Sequence, residues 1–433
     1  MVALPITGWP GRDHLARAAD GLVVAVAVSL PWSTSATSIL IVLWLIALLP
    51  TLAVGAVRRE VLSWAGGLPV LLWLLAVAGL AWADAPWRER LGGLESFHRL
   101  LLIPILFAQF RRSERAISVA FGFLLSETVL LVASLAHAAL WDIVPWHIGS
   151  TAGVPVKEYI TQSEFFEVCG FALLGFAVDA WRAGRRIKAL WSLLLAASFF
   201  CDILYVATGR TALVALPVVA VVLGFRYFGW RGVLVAVVTG AVLAAVAWSS
   251  SPYLRIRVEN AVDEVRLYLA SDIVTSSGIR LEVWKKSIGF LGQAPAFGHG
   301  TGSINEMFRR SAVGAATETA ALASENPHQQ VFAVAIQLGL VGAALLIAMW
   351  IAHLALFRGP GPVAWAGAVI VLVQVVACMF NSHLFDFTEG WFYVIGVGVI
   401  GGFVRREQAT ATLSRQMPGT ATDVPGPVAR DAR

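Results

Sequence analysis

Apolar runs of about twenty residues, each long enough to cross the hydrocarbon core of a bilayer as a helix, follow one another along most of this chain. Of its 433 residues, 58% are hydrophobic and 14% charged, and the mean hydropathy is +0.75. A soluble interior cannot absorb that much apolar surface. Inside a bilayer every backbone polar group must also be satisfied within its own segment, which favours helices. The expected fold class is therefore an all-α polytopic membrane protein. Spans are expected near 15–31, 36–57, 66–83, 94–110, 115–140, 161–181, 189–206, 209–228, 231–250, 327–357, 362–382 and 388–404, about twelve transmembrane helices in all. Arg12 and Arg17 ahead of the first run resemble a signal peptide, but further membrane segments follow, so the run reads as a first helix.

Charge sorts the connecting loops into two sets. Arg58 and Arg59; Arg111, Arg112 and Arg115; Arg182, Arg185, Arg186 and Lys188; Arg226 and Arg231; and Arg358 fall in one set. The short loops of the other hold only Arg88, Arg90, Lys157 and Arg210, four cations against twelve. The positive-inside trend then places both termini in the cytoplasm and the second set outside. The organisation read from this is residues 1–250 as spans one to nine, 251–326 as one large periplasmic loop with amphipathic helices, 327–404 as spans ten to twelve, and 405–433 as a disordered cytoplasmic tail. The Ala-, Thr- and Pro-rich composition from Arg405 onward supports the last. No internal repeat is evident, which disfavours an inverted-repeat transporter.

Several function classes are excluded or disfavoured. The formal charge of +5 is modest and sits in short loops, so it reports topology and no nucleic-acid partner. The large loop carries eight Lys and Arg against eight Asp and Glu, so an anion site there depends on individual arginines. Cys169, Cys201 and Cys378 each lie in an apolar segment and form no metal or redox spacing. Gly298-His299-Gly300-Thr301-Gly302 has amides able to cradle a phosphate. It lacks the Gly-Lys-Ser/Thr ending of a nucleotide loop, and a connecting turn is its plainer role. No metal and no cofactor are expected.

Three residues stand apart. Arg210 opens an apolar run after Thr208, an N-cap candidate, so its guanidinium would join a helix N-terminus that already favours anions. The alternative is an arginine snorkelling to headgroups. His328 follows Pro327, expected as the first residue of a helix with Asn326 or Ser324 as cap, where the positive helix end would keep the imidazole neutral and able to take a proton. The alternative is a capping or headgroup-facing histidine. Arg280 lies on an amphipathic stretch beside Glu282 and Trp284 and by itself reads as a surface ion-pair partner. Glu95, His98, Arg99, Glu127, His137, Glu164, Glu167 and Asp202 fall in or near spans. Of these, Arg99 and His98 lie near an outer helix end, within reach of a lipid phosphate, with mutual pairing as the alternative. The outer span ends around Arg99 and Lys157 are the candidate place for the phosphates of a second lipid.

Taken in order, Gly209-Arg210, Arg280 with Trp284, Gly298-Gly300-Gly302 and His328 followed by Gly339 and Gly342 resemble the O-antigen ligase and polymerase superfamily of bacterial inner-membrane glycosyltransferases. The resemblance is sharpest from about Tyr205 to Gly342. Gln329 stands where the family commonly has Asn, and Gln337 near the usual Glu. The resemblance implies a C-type glycosyltransferase-like enzyme. It would transfer O-antigen polysaccharide from undecaprenyl diphosphate to the outer-core sugar of lipid A-core, without ATP or metal and with inversion. His328, Arg280 and Arg210 would be catalytic, with Arg210, Arg280 and Trp284 binding the donor. Chain polymerase, protein O-oligosaccharyltransferase and a lipid-linked oligosaccharide transporter are the competing readings.

Overall fold

The computed structural model describes residues 11–143, 151–207, 209–271, 274–315, 321 and 326–416, and every regular element among them is helical. In chain order the helices are α1 (Arg12–Ser29), α2 (Thr34–Leu48), α3 (Val54–Val61), α4 (Trp64–Gly79), α5 (Trp87–His98), α6 (Leu102–Phe110), α7 (Ala116–Leu140), α8 (Tyr159–Arg182), α9 (Arg186–Tyr205), α10 (Arg210–Ser250), α11 (Pro252–Ser271), α12 (Ser276–Gln293), α13 (Ile304–Ala312), α14 (Gln330–Leu356), α15 (Pro362–Ala377) and α16 (Phe387–Gln416). Among the described residues, seven helices are long and apolar enough to cross a membrane unaided, or eight if α3 and α4, bent by 86°, form one span. The sequence led to a larger number, and identifiable helices account for the difference. Charges interrupt α1 and α8, and α15 has only 16 residues. The 41-residue α10 is two arms rather than one rod.

The fold of α10 follows from one glycine. Gly229, at φ 63° and ψ −150°, leaves the helical region within the element. A side chain is strained there, so glycine is what permits the reversal. The arms return against each other so closely that a Cβ on Gly224 or Gly232 would strike the other's carbonyl. At the open end, the Tyr205 and Ser250 hydroxyls lie 2.8 Å apart, and Ser251 Oγ donates to the Leu204 carbonyl at 3.3 Å. The two arms correspond to the expected spans 209–228 and 231–250.

The core lies where α4, α6, α14, α15 and α16 face one another. Trp44, Phe97, Phe107, Phe110, Trp365 and Tyr393 are fully buried there. Trp365 donates its indole N–H to the Phe171 carbonyl at 2.7 Å, and Trp44 donates to Gln109 Oε1 at 2.9 Å. These pairings satisfy polar atoms that burial would otherwise penalise.

Loops alternate between the two ends of the bundle. At one end the fully buried Glu60 accepts from Arg111 at 2.9 Å and from Arg405 at 2.7 Å. Arg226 donates to the Phe357 carbonyl at 3.2 Å, and Arg182 to that of Tyr227 at 2.7 Å. The opposite end gathers 84–93, 151–159, 205–207, 209–210, 251–271, 274–312, 326–330 and 378–388. Arg405 and Arg406, expected to begin a disordered tail, instead continue α16, which is helical to Gln416; ion pairs to Glu60 and Glu114 tie these two arginines to the bundle. Residues 417–433 lie outside the described residues.

A second break shapes the other end. Within α14, Gly339 has φ 65° and ψ −165°, a region essentially closed to side chains. Breaking a spanning helix frees backbone groups that lipid cannot satisfy. The segment 294–302 satisfies them. Leu340 and Val341 donate to the carbonyls of Pro295 and Ala296 at 2.8 and 3.3 Å. In return, His299 and Gly300 donate to the carbonyls of Ile336 and Gln337 at 2.8 and 2.9 Å. The loop and the span are thereby stitched together.

Candidate functional site

The turn 298–302 is not a phosphate cradle. Besides the two amides just described, Gly298 N donates to Ala294 O at 3.0 Å and Thr301 N to Gly79 O at 3.1 Å. Gly302 N donates to Gln337 Oε1 at 2.7 Å. All five amides are thus spent within the protein. The turn is a connector that locks α4, α12 and α14 in register, and Gln337 serves that lock.

Arg210 stands at the first position of α10, but the expected cap is not what holds it. Thr208 lies outside the described residues, and the N-cap is Gly209, without a side-chain bond. The pin comes from α8. The buried Ser163 hydroxyl accepts from Gly209 N at 3.0 Å and lies 2.6 Å from the Ala207 carbonyl. The Arg210 fork points at α11, where its two terminal nitrogens each sit 3.0 Å from an oxygen of Glu264. Ser277 Oγ donates to Glu264 at 2.6 Å, and its backbone N–H does so at 3.1 Å. The Arg210 bond, with the Ser277 donors adding to it against burial, holds the Glu264 carboxyl at about 2.

Arg280 is positioned by the packing of α12. Val283 and Phe290 bury against Phe308 of α13 and against Ala333 and Ile336 of α14, with the Phe290 and Phe308 rings 5.1 Å apart edge to face. Arg280, three residues before Val283, is half-buried, and among the described residues it has no hydrogen bond or ion pair. Burial and the nearby Arg210 charge lower its guanidinium pKa, opposed by Tyr159 and Glu264. Sequence alone made Arg280 a surface ion-pair partner. In the structure the Arg210 charge acts on it instead, while Glu282 pairs with Tyr268 and Lys285.

One turn along α12, Trp284 reaches the third member, its indole N–H donating to the His328 carbonyl at 3.4 Å. His328 is not in a first helical turn. Helix α14 begins two residues later at Gln330, capped by Gln329, whose side chain accepts from Phe332 N at 2.5 Å. His328 itself is left-handed, at φ 52°, an uncommon state for a non-glycine residue. Asn326 holds that turn by accepting from His328 N at 2.8 Å. The imidazole pKa is lowered by burial and by the Arg280 charge, against the raising effect of its Asn381 bond. The causes of that lowering differ from the helix end expected from the sequence.

Arg280 thus lies within electrostatic reach of both Arg210 and His328, and Trp284 is bonded to the latter. His98 and Arg99 do not join them. His98 is exposed, bonded to the Leu94 carbonyl at 2.9 Å. The Arg99 guanidinium donates to the carbonyls of Phe385, Asp386 and Phe387, the first at 3.2 Å, and so anchors a turn. Lys157 is similarly committed, to the Leu30 carbonyl and to Thr388 Oγ1 at 2.9 Å.

Sequence reasoning missed the turn 381–389. Asn381 bonds His328 Nδ1 at 3.1 Å, and Asp386 accepts from Asn381 Nδ2 at 3.3 Å. The buried His383 lies 3.1 Å from Asp386 and 3.9 Å from Glu164. Burial acts to lower the His383 pKa, but Glu164 and the Asp386 bond outweigh it and raise it to about 9. Among the described residues, His383, Asp386 and Glu389 offer ligand-type atoms within 4.8 Å of one another and are grouped as a cation would need. Arg99 and Lys157, however, already bring two positive charges to this turn. Beside Asn326, Pro327, Ser382 and Asp386 opens a cleft of about 380 Å³ that extends to Gly93 and Gly302. The His-x-x-Asp-x-x-Glu spacing of 383–389 was the signal available in the sequence.

Residues 195–347 match the family model described as O-antigen ligase. No curated protein matches the chain. The matched stretch spans Arg210, Arg280, Trp284, the 298–302 turn, His328 and the break at Gly339. The segment that carries these basic residues is therefore the one that is similar to the O-antigen ligase family.

Proposed function

We propose that this protein is an O-antigen ligase that moves O-antigen polysaccharide from undecaprenyl diphosphate to the outer-core sugar of lipid A-core, completing lipopolysaccharide. The placement of Arg280 within electrostatic reach of both Arg210 and His328 carries the reading. In the proposed step the acceptor hydroxyl gives its proton to His328 while its oxygen attacks the anomeric carbon. The bond from that carbon to the phosphate oxygen breaks, and undecaprenyl diphosphate leaves with the electron pair. Attack opposite the leaving group inverts the centre.

Arg210 and Arg280 meet the charge that develops on the departing diphosphate. Arginine suits that role, since its fork grips phosphate oxygens in pairs and stays charged. Preorganised cations at a developing anion are typically the largest single contribution to such catalysis. Half-burial of Arg280, beside another cation and without a partner among the described residues, leaves it unsatisfied until an anion arrives.

The loop charges support a twelve-pass arrangement in the bacterial inner membrane, with both termini cytoplasmic and the site at the periplasmic face. Sugar donors linked to a diphosphate carry their own activation, so the reaction runs without ATP, metal or cofactor. Purified protein incubated with undecaprenyl-diphosphate-linked glycan and lipid A-core should yield ligated lipopolysaccharide without added ATP or divalent cation. Longer donor chains with no use of the acceptor would make it a polymerase, and no transfer at all would favour a lipid-linked oligosaccharide transporter.

A further inference from the structure

Hydrogen-bond directions around His328 determine which of its nitrogens carries the proton. The chain of reasoning starts from a group whose role is fixed. The backbone N–H of His328 can only donate, and its partner 2.8 Å away is Asn326 Oδ1. The other atom of that amide, Asn326 Nδ2, is therefore a donor, and it meets Asn381 Oδ1 at 3.0 Å. Asn381 Nδ2 is then also a donor, in agreement with its bond to Asp386 Oδ2 at 3.3 Å. Both amides are fixed by partners of known sense, the condition under which such assignments hold. His328 Nδ1 lies 3.1 Å from that same Asn381 Oδ1. Facing an acceptor, Nδ1 must carry hydrogen.

We infer that Asn381 is a positioning residue that holds the His328 imidazole in the Nδ1–H form, leaving Nε2 as the nitrogen with the free lone pair. An imidazole side chain free in water prefers the opposite tautomer, so the protein imposes this one. The inference rests on the proposed transfer for its consequence, since it makes Nε2 the atom that takes the proton from the acceptor hydroxyl. A histidine held as a neutral anion ligand would need Nε2–H instead, so the tautomer favours the base over the diphosphate ligand.

The support continues beneath Asn381. Asp386 accepts from Asn381 and lies against His383, and His383 is itself backed by the buried Glu164. Among the described residues, the charged groups that face His328 are Arg280 from α12 and Asp386 and His383 from the 381–386 turn. Of these, the carboxylate reaches the ring only through Asn381. The bond that orients the ring therefore comes from a neutral amide, which fixes the proton without adding charge beside it.

The test is a spectrum that does not depend on activity. Full-length protein labelled with 15N-histidine in detergent contains eight histidines, and the His328 signals are those lost in His328→Ala. At a pH above its titration, His328 is expected to show a protonated Nδ1 and an unprotonated Nε2, and Asn381→Ala is expected to shift it to a mixture or to the opposite tautomer. Turnover of Asn381→Ala should fall on the order of ten-fold while KM for the donor stays within about two-fold, since only the base is disturbed. An Nε2–H signal in the unmodified protein, or a tautomer indifferent to Asn381→Ala, overturns the inference. The expected tautomer in a protein without transfer activity would instead overturn the proposed function and leave the role of Asn381 standing.

Discussion

Glu264 holds both prongs of the Arg210 guanidinium, one carboxylate oxygen 3.0 Å from each terminal nitrogen. A carboxylate in that geometry occupies the place where two oxygens of a phosphate would bind, because the fork matches either anion. In the proposed transfer, the diphosphate of the donor would have to displace Glu264 before Arg210 could serve it. A partly exposed ion pair of this kind is worth about 1 kcal/mol, or roughly five-fold in affinity. Glu264→Gln is accordingly expected to lower KM for the lipid-linked donor about five-fold, measured by initial rates over donor concentration. An unchanged or raised KM would mean that Glu264 only orients Arg210.

The same pair gives a pH expectation for stability. The Glu264 carboxyl is held at about 2, below its ordinary value of 4.5. A depressed carboxyl contributes stability that is full above the unfolded value and lost as the pH falls through the folded one. Thermal denaturation should therefore show the stability difference between the unmodified protein and Glu264→Gln intact at pH 6 to 8 and shrinking from about pH 4.5 towards about pH 2.

Arg280 has no partner to lose among the described residues. Arg280→Ala should therefore leave the thermal midpoint nearly unchanged while turnover falls by about 10²–10³-fold, the usual loss on removing one preorganised charge-stabilising group. Arg280→Lys is expected to restore little, since an ammonium lacks the planar fork. A large loss of stability in the alanine variant would show that Arg280 supports the fold instead.

His328 is lowered from its ordinary 6.5 by burial and the Arg280 charge. A base must be unprotonated, so kcat/KM should be flat near neutrality and fall only as the pH drops below about 6.5. Removing the Arg280 charge lifts one of the causes of that lowering, and the residual activity of Arg280→Ala should therefore fall off at a higher pH. An acid limb that does not move, traced in paired profiles of the two proteins, would separate the imidazole from Arg280.

Gly339→Ala probes the stitched break in α14. At φ 65° and ψ −165° an alanine is strained by about 1–3 kcal/mol. Its Cβ would also meet the Ala296 carbonyl and Phe297 N. The expected result is a lower folded yield and thermal midpoint with activity lost in step, read by size-exclusion profile and thermal scan. Full stability would mean that the chain can rewind the break.

Helical character and most span positions were legible because an apolar run of fixed length has few other ways to bury its backbone. The helix starts near Arg210 and His328 were legible for the same local reason, although His328 lies two residues ahead of its helix. Their supports were not. Ser163 holds Gly209 from another helix, and Asn381 reaches His328 across 53 positions of the chain. Hydrogen bonds between distant segments leave no periodic trace. Arg99 misled because an arginine near a membrane edge looks the same whether it faces lipid phosphate or the three carbonyls of 385–387. The glycine turn misled similarly: its spacing is that of an anion nest, and only the broken span opposite it reveals where the amides go.

The exchange-linked backbone bonds around Gly339 have a kinetic consequence. They weld α12, the 294–302 segment and α14 into one body, so His328, Trp284 and Arg280 keep their arrangement before any substrate arrives. Arg210 does not share that readiness, because Glu264 on α11 occupies it. In the proposed transfer, the proton-accepting half would be finished in advance, and the charge-accepting half completed only when a donor evicts the carboxylate. Such a reaction would have a built-in order, in which an acceptor or a stray water reaching the base first finds nothing activated to attack.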